Sequence, residues 1–150
     1  EPLIDDSAYN KPTEKDLQTL SPQEFEVTQN AATDAPFSHK LTDEFKSGLY
    51  IDITTGEPLF GSSRKFESHC GWPSFTKPIA KDVIRYYKDN SHGMQRIEVR
   101  SRIGNAHLGH VFEDGPNGSL RYCINGSALK FIPKNELLGT KYEYLIPYID

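Results

Sequence analysis

Cysteine is scarce in this 150-residue chain: only Cys70 and Cys123 occur. Two thiols are too few for a disulfide framework, but they leave room for one redox pair. No run approaches the roughly 18 apolar residues that a membrane span needs. No basic-then-apolar leader is visible at the start of the sequence. Positive charge is not in excess either. The formal net charge of −4 argues against a nucleic-acid footprint, and the five histidines do not reverse that. Internal repeats and low-complexity tracts are lacking. Aromatic residues are well supplied. Eight Phe and eight Tyr supply a core and argue against intrinsic disorder. The length fits one domain.

Residues 1–12, "EPLIDDSAYNKP", are polar with two prolines and read as a linker or arm. The boundary is expected between residues 12 and 22, giving an arm over 1–16 and a domain over 17–150. Two short helices follow. Thr13 caps the first, with Asp16 three residues on. Ser21 caps the second, with Pro22 at its first position and Glu24 completing a capping box. From residue 49 the pattern turns to period two. "LYIDI", "VIRYY", "RIEVRSRI", "HVF", "LRYCI" and "ALKFI" read as short strands separated by polar turns. Strands at short, regular spacing predict a mainly β fold, an antiparallel sandwich or barrel with short N-terminal helices.

Alternation within "RYCIN" gives the first chemical hint. Tyr122 and Ile124 share one face, and Arg121, Cys123 and Asn125 share the other. A guanidinium beside a thiol favours the thiolate. An ordinary cysteine on a solvent-facing side fits the same pattern. Cys70 lies in "SHCGWPSF", where Gly71 and Pro73 enforce a loop. A structural disulfide, two unrelated thiols, or a nucleophile with a mobile resolving partner all remain open. His107 and His110 in "HLGH" would point to opposite faces of a regular strand, so their convergence needs a bend at Gly109. Further metal ligands are missing at a helpful spacing, but a histidine near a thiol can activate it or deliver a proton. Trp72 is either core packing or the wall of a small apolar pocket that suits sulfur and its methyl groups. Glu98 and Arg100 are expected to form a surface ion pair.

Taken in order, "SPQEFEVTQ", "GEPLF", "GWPSF", "RIEVRS", "HLGHVF", "DGP" and "RYCIN" resemble the B-type methionine sulfoxide reductases, which reduce the R epimer of methionine sulfoxide. The resemblance spans roughly residues 17–133. It implies two antiparallel sheets in a barrel-like arrangement. It also implies Cys123 as nucleophile, Cys70 as resolving thiol, His110 as proton donor with His107 and Asn125 beside it, and Trp72 and Arg121 around the substrate. Many members hold zinc with two Cys-x-x-Cys pairs. Here Asp52, Thr55, Ser101 and Gly104 occupy those positions, so no metal is expected. The turn "EDGPNGSL" looks short, which leaves open how His110 reaches Cys123. The leading residues, and the lack of an initial Met, resemble a B domain cut from a bacterial fusion with an A-type reductase domain.

The resemblance implies no bound cofactor and a reductant that is thioredoxin, a thioredoxin-like protein or a small dithiol. It implies oxidised proteins carrying methionine-R-sulfoxide as partners, neither nucleic acid nor membrane, and a role in protein repair after oxidative stress. The cytoplasm is the expected compartment, with an extracytoplasmic bacterial setting as the alternative. Two other classes fit the residues alone: a Cys–His hydrolase that ignores Cys70, and a thioether-binding module built on Trp72.

Overall fold

A computed structural model describes residues 2–150. Both expected helices form where their caps predict. The first, α1 (Glu14–Gln18), has a reciprocal capping box between Thr13 and Asp16. The second, α2 (Pro22–Asn30), has the same box between Ser21 and Glu24, with Pro22 at its start. Each box satisfies amide donors that the first turn leaves without helical partners.

Among the described residues, eight strands make two antiparallel sheets. The smaller sheet has β1 (Gly48–Asp52) between β2 (Pro58–Gly61) and β8 (Leu129–Pro133). The larger runs in the order β3 (Ser74–Phe75), β7 (Arg121–Ile124), β6 (His107–Phe112), β5 (Arg96–Ser101), β4 (Ile84–Asp89). The mainly β fold with two antiparallel sheets is therefore as the sequence predicts. No closed barrel forms among the described residues, but the sheets are compatible with a barrel-like arrangement.

Aromatic rings join the sheets. Phe60 of β2 stacks on Phe75 of β3 at 4.4 Å between ring centres, and Tyr50 of β1 meets Phe75 edge-on at 5.1 Å. Tyr122 of β7 approaches Phe60 on the same side. Such ring pairs add specific geometry to the burial of a large apolar area. They also fix which face of β7 is inside: Tyr122 and Ile124 are buried, while Arg121 and Cys123 are half-buried on the other face.

The expected arm is not free of the domain. Ile4 is fully buried, Tyr9 is buried in the same core, and the Ile4 carbonyl accepts a hydrogen bond from Arg102 at 3.2 Å. Two apolar residues five apart in a polar stretch gave too weak a period to show this. No helix among the described residues is long and apolar enough to cross a membrane.

Candidate active site

The outer face of the larger sheet carries the chemistry, and strand register assembles it. Cys123 of β7 lies directly between Ser74 of β3 and His110 of β6. His110 in turn faces Glu98 of β5. Residues directly opposite in an antiparallel pair share a face with Cβ atoms about 4.5–5.5 Å apart. Thus His110 and Cys123 meet because β6 and β7 form one hairpin. The turn "EDGPNGSL" is long enough to close it. Gly115 N–H bonds the Ser119 carbonyl at 2.9 Å, while Asn117 and Gly118 take the left-handed conformation.

A bulge brings the second histidine to the same side. Between the pairs Val99–Gly109 and Arg100–His107, strand β6 has one more residue than β5, and that residue is Leu108. The extra residue cancels the period-two alternation locally. The His107 and His110 rings end 5.6 Å apart, edge to face. Gly109 is required there for space: a Cβ would lie 2.0 Å from the Cys123 carbonyl oxygen.

Cys70 arrives from the loop before β3. His69 and Gly71 both have positive φ, and a Cβ on Gly71 would stand 2.7 Å from Pro36. This tight bend sets the Cys70 sulfur 3.9 Å from that of Cys123. Both thiols are free. Cys123, Ser68 and Ser74 all reach the Cys70 sulfur, at 3.9, 2.8 and 3.4 Å. These contacts outweigh burial and hold the Cys70 thiol down at about 4. Cys123 is pushed upward by the same shared proton and then by burial, against a weaker opposing pull from Arg121. With two sulfurs this close, ionising one disfavours the other. The hydroxyl donors at Cys70 favour a thiolate there over one at Cys123.

Cys70, Trp72, His110, Arg121, Cys123 and Asn125 line one cleft of about 230 Å³, with Arg96, Gly109 and Phe112. His107 is not in its wall but stands behind His110. Trp72 donates its ring N–H to the Asp34 carbonyl at 2.9 Å, which fixes the indole at the rim. Asn125 is buried, and both ends of its amide are occupied. Its oxygen accepts from Asp34 N–H at 2.8 Å, and its nitrogen donates to the Leu108 carbonyl at 2.9 Å. Arg121 stacks on Phe112 and makes a two-point pair with Asp114 at 2.8 and 3.2 Å, so part of its charge is already answered.

Alternation alone misjudged Glu98. The expected pair with Arg100 forms, but Glu98 is not at the surface. It is buried and accepts from His107 Nδ1 at 2.6 Å and from Arg100 at 2.9 Å. Its face is polar, as expected, but that face is roofed by His107. Asp89, at the end of β4, similarly holds His110 Nε2 at 2.7 Å. Ser91 and then His110 keep the Asp89 carboxyl below the usual range. Asp34 was also unforeseen, although its carboxylate binds Ser127 N–H, Ser127 hydroxyl and Gln23 and so clamps the loop under Trp72. The contacts of Glu98 with His107, of Asp89 with His110 and of Asp34 with Ser127 and Gln23 join different elements or depend on the bulge, so no local pattern signals them.

A family model for the SelR domain matches residues 20–133. The chain belongs to the SelR family. SelR domains are the B domains of methionine-R-sulfoxide reductases, so this SelR protein is an oxidoreductase acting on a sulfur group, with the repair and oxidative-stress roles that follow. Its zinc positions do not fit the metal. Asp52 is fully buried and its carboxylate accepts from Thr54 N–H at 2.8 Å and Thr54 hydroxyl at 2.7 Å. Ser101, also buried, accepts from Ala106 N–H. A hard carboxylate and hydroxyls, already bonded to the chain, replace the thiolates that a structural zinc requires. Among the described residues no group of three or more His, Cys, Asp or Glu is arranged to hold a metal.

Proposed function

We propose that this SelR domain reduces methionine-R-sulfoxide through a Cys123 sulfenic acid and a Cys70–Cys123 disulfide, which thioredoxin or another dithiol then reduces. The observation that carries the reading is the 3.9 Å approach of the two sulfurs, with His110 opposite Cys123 in register. A hydrolase would have no use for Cys70 at that distance.

Substrate enters with its sulfur near Cys123 and its methyl group against Trp72. The Cys123 proton passes to Cys70, leaving the thiolate on Cys123, and the Arg121 guanidinium favours that state. The thiolate attacks the sulfoxide sulfur while His110 protonates the oxygen. The substrate S–O bond breaks and a Cys123 S–O bond forms. The sulfoxide is thereby reduced by two electrons to methionine, and Cys123 is oxidised to the sulfenic acid. The Cys70 thiol attacks Cys123, forming the disulfide and releasing water. A dithiol returns both thiols by exchange. Asn125 acts here by holding the backbone on either side of the cleft. Selectivity for R follows if Trp72 fixes the methyl and His110 fixes the oxygen, since only one chirality then turns its sulfur to Cys123.

The domain works without zinc in this reading, and stoichiometric zinc in the purified protein would overturn that part. The test of the whole is racemic methionine sulfoxide with dithiothreitol. Loss of the R epimer alone supports the proposal, and loss of the S epimer or of neither overturns it.

A further inference from the structure

Among the described residues two buried side-chain nitrogens lack a hydrogen-bond partner, Arg96 Nε and His107 Nε2, and the second belongs to a ring packed beside His110. A buried polar atom left unpaired costs free energy unless something else engages it. The other ring nitrogen is fixed. Nδ1 meets Glu98 at 2.6 Å, with both side chains buried. The carboxylate has no alternative orientation, because its second oxygen accepts from Arg100 at 2.9 Å, and Arg100 is itself braced on the Tyr87 ring. Burial pushes Glu98 upward, but Arg100 and His107 outweigh it and keep the carboxyl ionised. Burial draws the His107 imidazole downward, against the pull of Glu98. An ionised carboxylate can only accept. Nδ1 must therefore carry the proton, and the neutral ring is left with Nε2 as a bare acceptor beside His110.

We propose that Glu98 is a positioning residue. It locks His107 in the Nδ1–H tautomer, so that a bare nitrogen rather than a second N–H lies beside His110, and His110 alone presents a proton to the sulfoxide oxygen. The inference rests on the proposed reduction, and it divides the work of the two histidines. His110 gives the proton. His107 takes none and gives none: buried beside His110, with the ring centres 5.6 Å apart, it keeps a competing N–H away from the proton transfer. A carboxylate that fixes a histidine tautomer without itself being protonated is a known way to prepare an imidazole, and the amide replacement fails by selecting the other tautomer. The same logic applies here because Arg100 demands an oxygen. In Glu98→Gln, Arg100 keeps the amide oxygen and the NH2 group turns toward His107 Nδ1. The ring must then accept at Nδ1 and carry its proton on Nε2.

The test combines 15N-histidine NMR with single-turnover kinetics of reduced enzyme and methionine-R-sulfoxide. Wild type should show His107 as the neutral Nδ1–H tautomer at pH 7. Glu98→Gln should show the opposite tautomer and form the Cys123 sulfenic acid about 10- to 100-fold more slowly, within or just below the usual range for proton-handling groups. Glu98→Asp should restore the tautomer and most of the rate. The proposal is overturned if wild-type His107 is the Nε2–H tautomer or an imidazolium. It is equally overturned if Glu98→Gln inverts the ring without slowing the step. The wild-type spectrum judges the tautomer even if Glu98→Gln folds poorly. Were the wild type to leave both sulfoxide epimers intact, the reduction itself would be refuted, while the spectra would still decide whether Glu98 sets the ring.

Discussion

The two cysteines face each other across 3.9 Å yet sit in opposite kinds of structure. Cys123 is held in the middle of a sheet, with β3 on one side and β6 on the other. Cys70 is held by a loop with left-handed residues on either side, and its sulfur is ringed by hydroxyl groups. A nucleophile benefits from the first setting, because its position relative to His110 cannot drift. A resolving thiol needs the second, because it must move by almost 2 Å to make a disulfide of about 2.05 Å. The charge distribution runs against this division of labour. Ser68 and Ser74 favour a thiolate at Cys70, the sulfur that acts second in the proposed reaction. That reaction therefore requires a proton to pass from Cys123 to Cys70 before attack.

The sharpest way to break the comparison is to remove each sulfur in turn. Cys123→Ser should abolish sulfoxide reduction with every reductant, in single and multiple turnovers. Measurable product would place the nucleophile elsewhere. Cys70→Ser should lose turnover with thioredoxin entirely yet form one equivalent of methionine per enzyme. Loss of that first equivalent would overturn this division of labour between the two sulfurs.

How far this contrast could be read from the sequence differs between the two thiols. The setting of Cys123 was legible, since "RYCIN" alternates cleanly and the aromatic core claims Tyr122 and Ile124. The loop around Cys70 was legible from Gly71 and Pro73. What surrounds the thiols was much less so. His107 and His110 converge through a bulge whose extra residue is Leu108, whereas only the neighbouring Gly109 suggested a bend. Glu98 looked like surface because alternation assigns a face but not what lies above it. Ser74 meets Cys123 only through the pairing of β3 with β7, which no local pattern specifies.

The hydroxyl groups give a subtler test. Ser68→Ala removes the 2.8 Å donor to the Cys70 sulfur. A hydrogen bond to a charged group is worth about 1.5–3 kcal/mol, and 1.36 kcal/mol corresponds to one pKa unit. Cys70 should therefore titrate about one to two units higher in the variant, upward from about 4. The sign is that of an acid losing stabilisation of its anion. The thiolate fraction falls at every pH through the transition, most strongly between pH 4 and 6. Iodoacetamide labelling of Cys70, followed by mass spectrometry across that range, reads the shift. Unchanged labelling would mean that the Cys123 proton and the Ser74 hydroxyl suffice to hold the charge on Cys70.

Arg121 should show the smallest effect. Its guanidinium favours a Cys123 thiolate, but Asp114 already engages it at two points and the ion pair is partly open to solvent. Charge answered in this way projects only weakly onto a third group. Arg121→Met keeps a long side chain over the Phe112 ring while removing the charge. In the Cys70→Ser background, where Cys123 no longer shares its proton with a second thiol, this change should raise the midpoint of Cys123 alkylation by less than about one unit. The first turnover at pH 7 should slow only a few-fold, and raising the pH should recover the rate as the thiolate fraction recovers. A shift well beyond one unit would make Arg121, rather than proton transfer to Cys70, the main source of the nucleophile's charge. The contrast between the two sulfurs would then lie in their cations and not in their hydroxyl donors.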